Sequence, residues 1–215
     1  MKRLSSIVTK SDFQEHLGDV EMANSIIHSY AIDLHDDISI ILNKAGQNVA
    51  ASWGLNPDPD KRSINLPQVN FHRIHVKPTF RMAFRKQRAV ATLDSYYCWH
   101  KDQRIPYRIR KVNSTPMFVP CVYFPIEEDK YVCTLITRPA RQNLSRLAEV
   151  EPLIFDKEET KTWLSHLNAK EAIKLLEANP SVALDKQKAP AKTMIKGFKD
   201  RMLHNEAIEE LTLFK

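Results

Sequence analysis

The chain has 215 residues, 43% of them hydrophobic and 27% charged, with a net charge of +6. That length suits one ordinary domain, or at most two small ones, and buries roughly 70% of the unfolded surface without a disulfide or metal staple. The composition excludes a disordered tail and a fibrous repeat, and the longest apolar runs (38–42 and 118–124) fall far short of the ~20 residues of a membrane span.

In chain order, the opening MKRLSSIVTKSDFQEHL has no apolar h-region and no small-residue cleavage site, which argues against secretion and for a cytoplasmic chain. Ser11 with Gln14 forms a candidate capping box for a helix running to about His28, weakened by Gly18. DISIILN alternates as a strand, AGQN supplies a turn, and VAASWGL reads as the hairpin partner. A Pro/Asp loop, NPDPDKR, follows. VNFHRIHV alternates again, and Pro78 opens a short basic helix, FRMAFRKQR. The middle holds five candidate strands: AVATL, SYYCWH, PYRIRKV, MFVPCVYF and KYVCTLIT. Their near-regular spacing points to a barrel or sandwich. Helices are predicted near 140–148, 157–166 and 169–178, the last capped by Asn168 and Glu171. SVALDKQKAPAK reads as a linker before an amphipathic helix over 192–211. The reading is one α+β domain over 1–180, with a linker and C-terminal helix over 181–215.

Charge is unevenly spread. Residues 73–111 carry eleven Lys/Arg and two acids, a net +9, so the remaining residues sum to −3. Localised positive charge is what a polyanion-binding face needs, and a solvated face without a partner is the plain alternative. Four glycines cannot build a phosphate-binding loop, which removes nucleotide-binding folds of that kind. Cys98, Cys121 and Cys133 have no C-x-x-C spacing and read as free thiols. His72 and His75, on a strand, point to opposite faces and make poor joint metal ligands. Cys98 and His100 share a strand face, so a thiol–imidazole nucleophile pair is conceivable, beside the plainer reading of two half-buried side chains. Glu149 and Glu151 fit no acid/base motif and are expected on an exposed strand edge. No metal or cofactor is expected.

Several segments, in order, resemble the SOS-response-associated peptidase (SRAP) family of abasic-site processing proteins. Trp53-Gly54-Leu55 with Pro57 is similar to the family's W-G-L-x-P, and KPTFRMAFRKQRA (77–89) to its K-P-S-F-R-x-A-F-x-x-R-R-C helix. FHRIHV (71–76) sits where the family has N-A-R-x-E-T, and LDSYYCWHK (93–101) where it has A-D-G-F-Y-E-W-K. YVCTLITRPARQNL resembles T-x-x-T-x-x-A-N, VEPLIF the R-M-P-V-I-L strand, and Trp163-Leu164 the following W-L. The resemblance covers roughly residues 1–170. It implies an α+β fold with a curved, barrel-like antiparallel sheet and peripheral helices.

The family's chemistry, as the resemblance implies it, uses a cysteine directly after the initiator Met. Its amine and thiol close a thiazolidine on the aldehyde of an abasic site in single-stranded DNA. Here that position falls on Met1 or Lys2, the family Asn on Phe71, its Glu on Cys98 and its His on Ala148. The reactive set is replaced throughout, so the resemblance implies no cross-linking activity. Three arginines match the binding side: Arg73, Arg81 and, with differing neighbours, Arg3. Arginine grips phosphate bidentately, so these imply a kept surface for single-stranded or damaged DNA in an SOS-type response. The alternative is that Arg73 and Arg81 serve buried ion pairs. The family's tryptophan pair after W-G-L-x-P is absent. Two rival functions follow: a protein-interaction scaffold docking through its last helix, Met194 to Phe214, or a re-purposed enzyme using Cys98 with His75 or His100 as base.

Overall fold

In the computed structural model, which describes residues 1, 3–18, 26–43, 46–57, 65–100 and 105–195, the β-rich middle closes on itself. The elements in order are β1 (Arg3–Ser6), α1 (Lys10–Leu17), β2 (Ser29–Ile32), β3 (Asp37–Leu42), β4 (Asn48–Trp53), β5 (Gln68–Asn70), α2 (Phe71–Ile74), α3 (Pro78–Lys86) and β6 (Arg88–Leu93). Then come β7 (Ser95–Trp99), β8 (Pro106–Lys111), β9 (Met117–Glu127), β10 (Lys130–Pro139), β11 (Val150–Pro152), α4 (Lys157–Leu164), α5 (Ala169–Ala178) and β12 (Leu184–Lys188). Strands β4, β3, β6 and β9 pair successively antiparallel, and β10 closes the ring by pairing with β9 on one side and β4 on the other. Closure removes the exposed edges that an open sheet would present. The β10–β4 and β10–β5 pairings are parallel, so the sheet is mixed rather than purely antiparallel. A second, antiparallel sheet has the order β12-β8-β7-β1-β2. Asp94 alone separates β6 from β7, so the chain passes from barrel to second sheet at one bend.

Strand alternation sorts the side chains into two cores. Ala89, Ala91 and Leu93 of β6, and Val119, Cys121 and Tyr123 of β9, join Tyr96, Cys98 and Ile109 of the second sheet in one cluster. Val90, Phe118 and Val122 face the other way, against Phe80 and Phe84 of α3, Trp163 of α4 and Leu176 of α5. Period two dictates this split: neighbours on a strand cannot share a face. Most SRAP-like motif residues prove to be scaffold. Trp53 is buried and donates from Nε1 to the Pro67 carbonyl at 3.0 Å. Gly54 has φ +110°, and a Cβ there would meet Leu34 Cδ1 at 2.5 Å, so the motif needs glycine. Trp163 donates to the Ala89 carbonyl at 3.0 Å and takes the Arg88 guanidinium over its ring at 5.6 Å.

Several expected elements differ. The first helix is capped by Thr9 with Asp12, not Ser11 with Gln14, and it ends at Leu17 because Gly18 turns at φ +80°. The strand predicted through FHRIHV stops at Asn70, whose side chain accepts from the His72 N–H and starts α2 instead. Residues 142–147 form successive turns rather than a helix, with Leu144 N–H donating to the Arg141 carbonyl and Leu147 N–H to the Leu144 carbonyl. The predicted linker contains β12, which pairs along β8 from Leu184 to Lys188. The fold therefore continues past residue 180. The helix expected over 192–211 begins instead as a 3-10 turn, Ala191–Met194, and its part beyond Ile195, most of the second half of the first helix, most of the NPDPDKR loop, the KDQR turn, Lys44–Ala45 of the AGQN region and Lys2 lie outside the described residues. Among the described residues no helix is long and apolar enough to cross a membrane.

Candidate nucleic-acid interface

The basic stretch 73–111 is continuous in sequence but not on the described surface. β5 lies parallel to β10, Asn70 caps α2, and Lys77 with Pro78 at the first turn restarts the chain as α3. Phe80, Ala83 and Phe84, at helical spacing, bury one face of α3 against the sheet. That fixes the opposite side outward, so Arg73, Lys77, Arg81, Arg85 and Lys86 are all exposed. Lys77, Arg81 and Arg85 recur every four residues and form one stripe along α3. Residues 71–86 contain no acid. Among the described residues, the side chains of Arg73 and Arg81 have no hydrogen-bond or ion-pair partner, so the buried-ion-pair alternative does not apply to them. Two other arginines of the stretch, Arg88 and Arg108, are structural. Arg88 is buried and donates to the carbonyls of Trp163, Phe84, Arg85 and Ser165, and its burial lowers its pKa. Arg108 is buried against Asp94, Nη2 to Oδ2 at 2.7 Å.

Arg3 is a correction. It sits in β1 at 2% exposure, pairs with Asp33 through Nη2 at 2.6 Å, and donates from Nη1 to the Thr193 carbonyl. Its guanidinium ties the second sheet to the 3-10 turn Ala191–Met194 and is not offered to a phosphate.

The positions matching the family's reactive residues lie in two places. Cys98 is 2% exposed within the barrel core, and Met1 and Ala148 pack, partly buried, against the same cluster. Phe71 packs instead on the helical side, its ring tilted by 34° to that of His72 with centroids 3.8 Å apart. His75 follows α2 on that helical side, half-buried, so it and Cys98 belong to opposite faces of the barrel wall. They cannot form a nucleophile–base pair. His100 lies just beyond β7, half-buried, with its backbone N–H on the Ile105 carbonyl at 2.8 Å. The burial of Cys98 denies a substrate access to its thiol whatever the His100 ring does. Burial likewise pushes the Cys121 thiol well up, reinforced by a hydrogen bond with Cys133. His72 and His75 share a helical stretch rather than a strand, yet one is exposed and the other half-buried. No cluster of three His, Cys, Asp or Glu that could hold a metal occurs among the described residues.

Glu151 is the second correction. Expected on an exposed edge, it is fully buried, while Glu149 is exposed. Register sets Glu151 of β11 opposite Arg138 of β10. Its carboxylate meets Arg138 Nε at 3.2 Å and Arg141 Nε at 2.8 Å, and accepts the Arg141 backbone N–H at 3.2 Å. The trio clamps the turn segment that carries Ala148. Asp94 plays a similar part at the β6–β7 bend, accepting from Ser5, Ser95, Ile7 and Arg108. Sequence spacing has no signal for either network, because partners thirteen or eighty-nine residues apart meet only through register.

The chain resembles several solved structures throughout its length. A protein from Bacteroides thetaiotaomicron superposes with a TM-score of 0.75 at 16% identity, covering 95% of this chain and 98% of that one. A phage-related protein from Bordetella bronchiseptica gives 0.72 at 15% identity, covering 88% and 94%. Another protein from the same organism gives 0.73 at 14% identity, covering 88% and 100%. These likenesses establish the fold. No curated protein matches the chain. Residues 2–192 match the family described as SOS response associated peptidase (SRAP), which takes in the barrel, the helical layer and β12. The chain belongs to the SRAP family.

Proposed function

We propose that this protein binds single-stranded or abasic-site DNA in a cytoplasmic SOS-type damage response without forming the family's covalent cross-link. The observation that carries the reading is the acid-free α2–α3 surface. There Arg73 and Arg81, at the positions matching the family's arginines, stand exposed and without a side-chain partner among the described residues, beside Lys77, Arg85 and Lys86. Unpaired guanidiniums keep their donors for phosphate oxygens, which position a strand without reading its bases. The chemistry of the cysteines supports the non-covalent part of the reading: a thiazolidine needs a 1,2-aminothiol, and Cys98, Cys121 and Cys133 are buried internal residues whose nitrogens are peptide amides.

Fluorescence anisotropy with a single-stranded oligonucleotide tests the binding at two or more salt concentrations. Each phosphate contact on a single strand contributes about −0.7 to the slope of log K against log salt, so an Arg73→Ala/Arg81→Ala variant should be flatter by about 1.4. An abasic oligonucleotide should leave no adduct that survives boiling in denaturant. Such an adduct overturns the non-covalent reading. Absence of wild-type binding at low salt overturns the DNA reading. In that case a protein-interaction scaffold takes its place, a reading favoured by the packing of Met1, Cys98 and Ala148 as apolar core where the family keeps reactive groups.

A further inference from the structure

Beside the α3 stripe lies a groove of about 400 Å³ between α3 and α5. Phe84, Ala169 and Ile173 make its floor, His75 and Arg85 one wall, and Lys170, Lys174 and Glu177 the other. Lys170, Lys174 and Glu177 fall at i, i+4 and i+7 on α5, so they line one side of that helix. Ala172 and Leu176 bury the adjoining side and hold α5 against the barrel. Arg85, Lys170 and Lys174 are exposed, and among the described residues none has an ion-pair or hydrogen-bond partner for its side-chain charge. The imidazole Nδ1 of His75 is buried and unpartnered. Three cations thus line a concave site together with one carboxylate.

Arg85 belongs both to this groove and to the stripe formed with Lys77 and Arg81. The groove is therefore the continuation of the α2–α3 surface onto α5. Like charges held close across a cleft repel one another, and a bound polyanion relieves that repulsion. We propose that the α3–α5 groove is a second phosphodiester-binding segment, in which Arg85, Lys170 and Lys174 take successive phosphates of a single strand that leaves Arg73 and Arg81. This inference rests on the DNA-binding reading above and extends its path from α2 and α3 to α5. An acidic protein segment is the rival occupant. The stripe of Lys77, Arg81 and Arg85 along α3, with Arg73 on the preceding α2, favours the nucleic acid, because regularly spaced phosphates match a row better than a single acidic cluster does.

The test is a Lys170→Gln/Lys174→Gln variant, with its fold checked by circular dichroism and thermal melting against the wild type. Anisotropy titrations use a 20-nucleotide single strand at several salt concentrations, and poly-glutamate serves as a second probe. The expected result is a slope of log K against log salt flatter by about 1.4, the loss of two single-strand phosphate contacts, additive with Arg73→Ala/Arg81→Ala. If the wild type binds and the variant keeps the wild-type slope, the groove proposal is overturned while the DNA-binding reading stands. Loss of poly-glutamate binding with an unchanged DNA slope also overturns it, in favour of an acidic protein partner. If the wild type binds no DNA at low salt, both proposals fall together.

Discussion

Replacing Glu151 should be among the most damaging single changes in the molecule. Its side chain is 1% exposed and faces two guanidiniums, Arg138 at 14% exposure and Arg141 at 26%. Truncating one member of a buried pair leaves the other charge uncompensated, at a cost of ~3–5 kcal/mol. Here the arginines keep other acceptors: Arg138 donates to the Asn179 and Pro180 carbonyls, and Arg141 to that of Val182 at 2.5 Å. The cost of Glu151→Ala should accordingly sit near the lower end, about 3 kcal/mol. For a chain of this size each kcal/mol moves Tm by roughly 2–4 °C, so Tm should fall by roughly 6–12 °C. Glu151→Gln, which keeps an acceptor oxygen but no charge, should cost about half as much, as the smaller worth of a neutral hydrogen bond requires. Urea titration of both variants and the wild type, fitted with a shared m-value, measures the difference. A loss below about 1 kcal/mol for the alanine variant, a value ordinary for surface ion pairs, would refute the claim that this carboxylate organises the turn segment.

Two further outcomes follow from buried titratable groups. His16 stacks on Phe118 at 3.5 Å, its Nε2 lies 3.3 Å from Thr160 Oγ1, and burial aided by the nearby Lys111 lowers its pKa from 6.5 to about 4. The fold therefore holds the neutral ring while the unfolded chain takes up a proton at its ordinary pKa. Stability contributed by this site is present above pH 6.5 and lost as pH falls toward 4, and urea midpoints of His16→Phe should lack that decline between pH 6.5 and 5, above the carboxylate range. Cys98, Cys121 and Cys133 are all buried free thiols, so iodoacetamide at neutral pH should label none of them in the folded protein and all three in urea. Selective rapid labelling of Cys98 in the native state would contradict its place in the barrel core.

Much of the fold was legible because it depends on local chemistry. The alternation in AVATL, MFVPCVYF and KYVCTLIT located β6, β9 and β10, and Pro78 and Asn168 marked the starts of α3 and α5. The exposed stripe of α3 was also local, since Phe80 and Phe84 settle which side faces outward. Competing local signals account for the errors at the ends: Asn70 ended a strand whose apolar alternation continued, and Thr9 outcompeted Ser11 as a cap. What tertiary structure alone decided was which residues meet. Barrel closure through β10, the register that sets Arg138 against Glu151, and the faces that separate Cys98 from His75 all depend on strand pairing over long separations. Arg3, Arg88 and Arg108 look in sequence like Arg73 and Arg81. Only packing shows that the first three spend their hydrogen bonds inside the protein, because a guanidinium buried by a neighbouring layer must find its acceptors there, whereas one left in water keeps its donors for a partner.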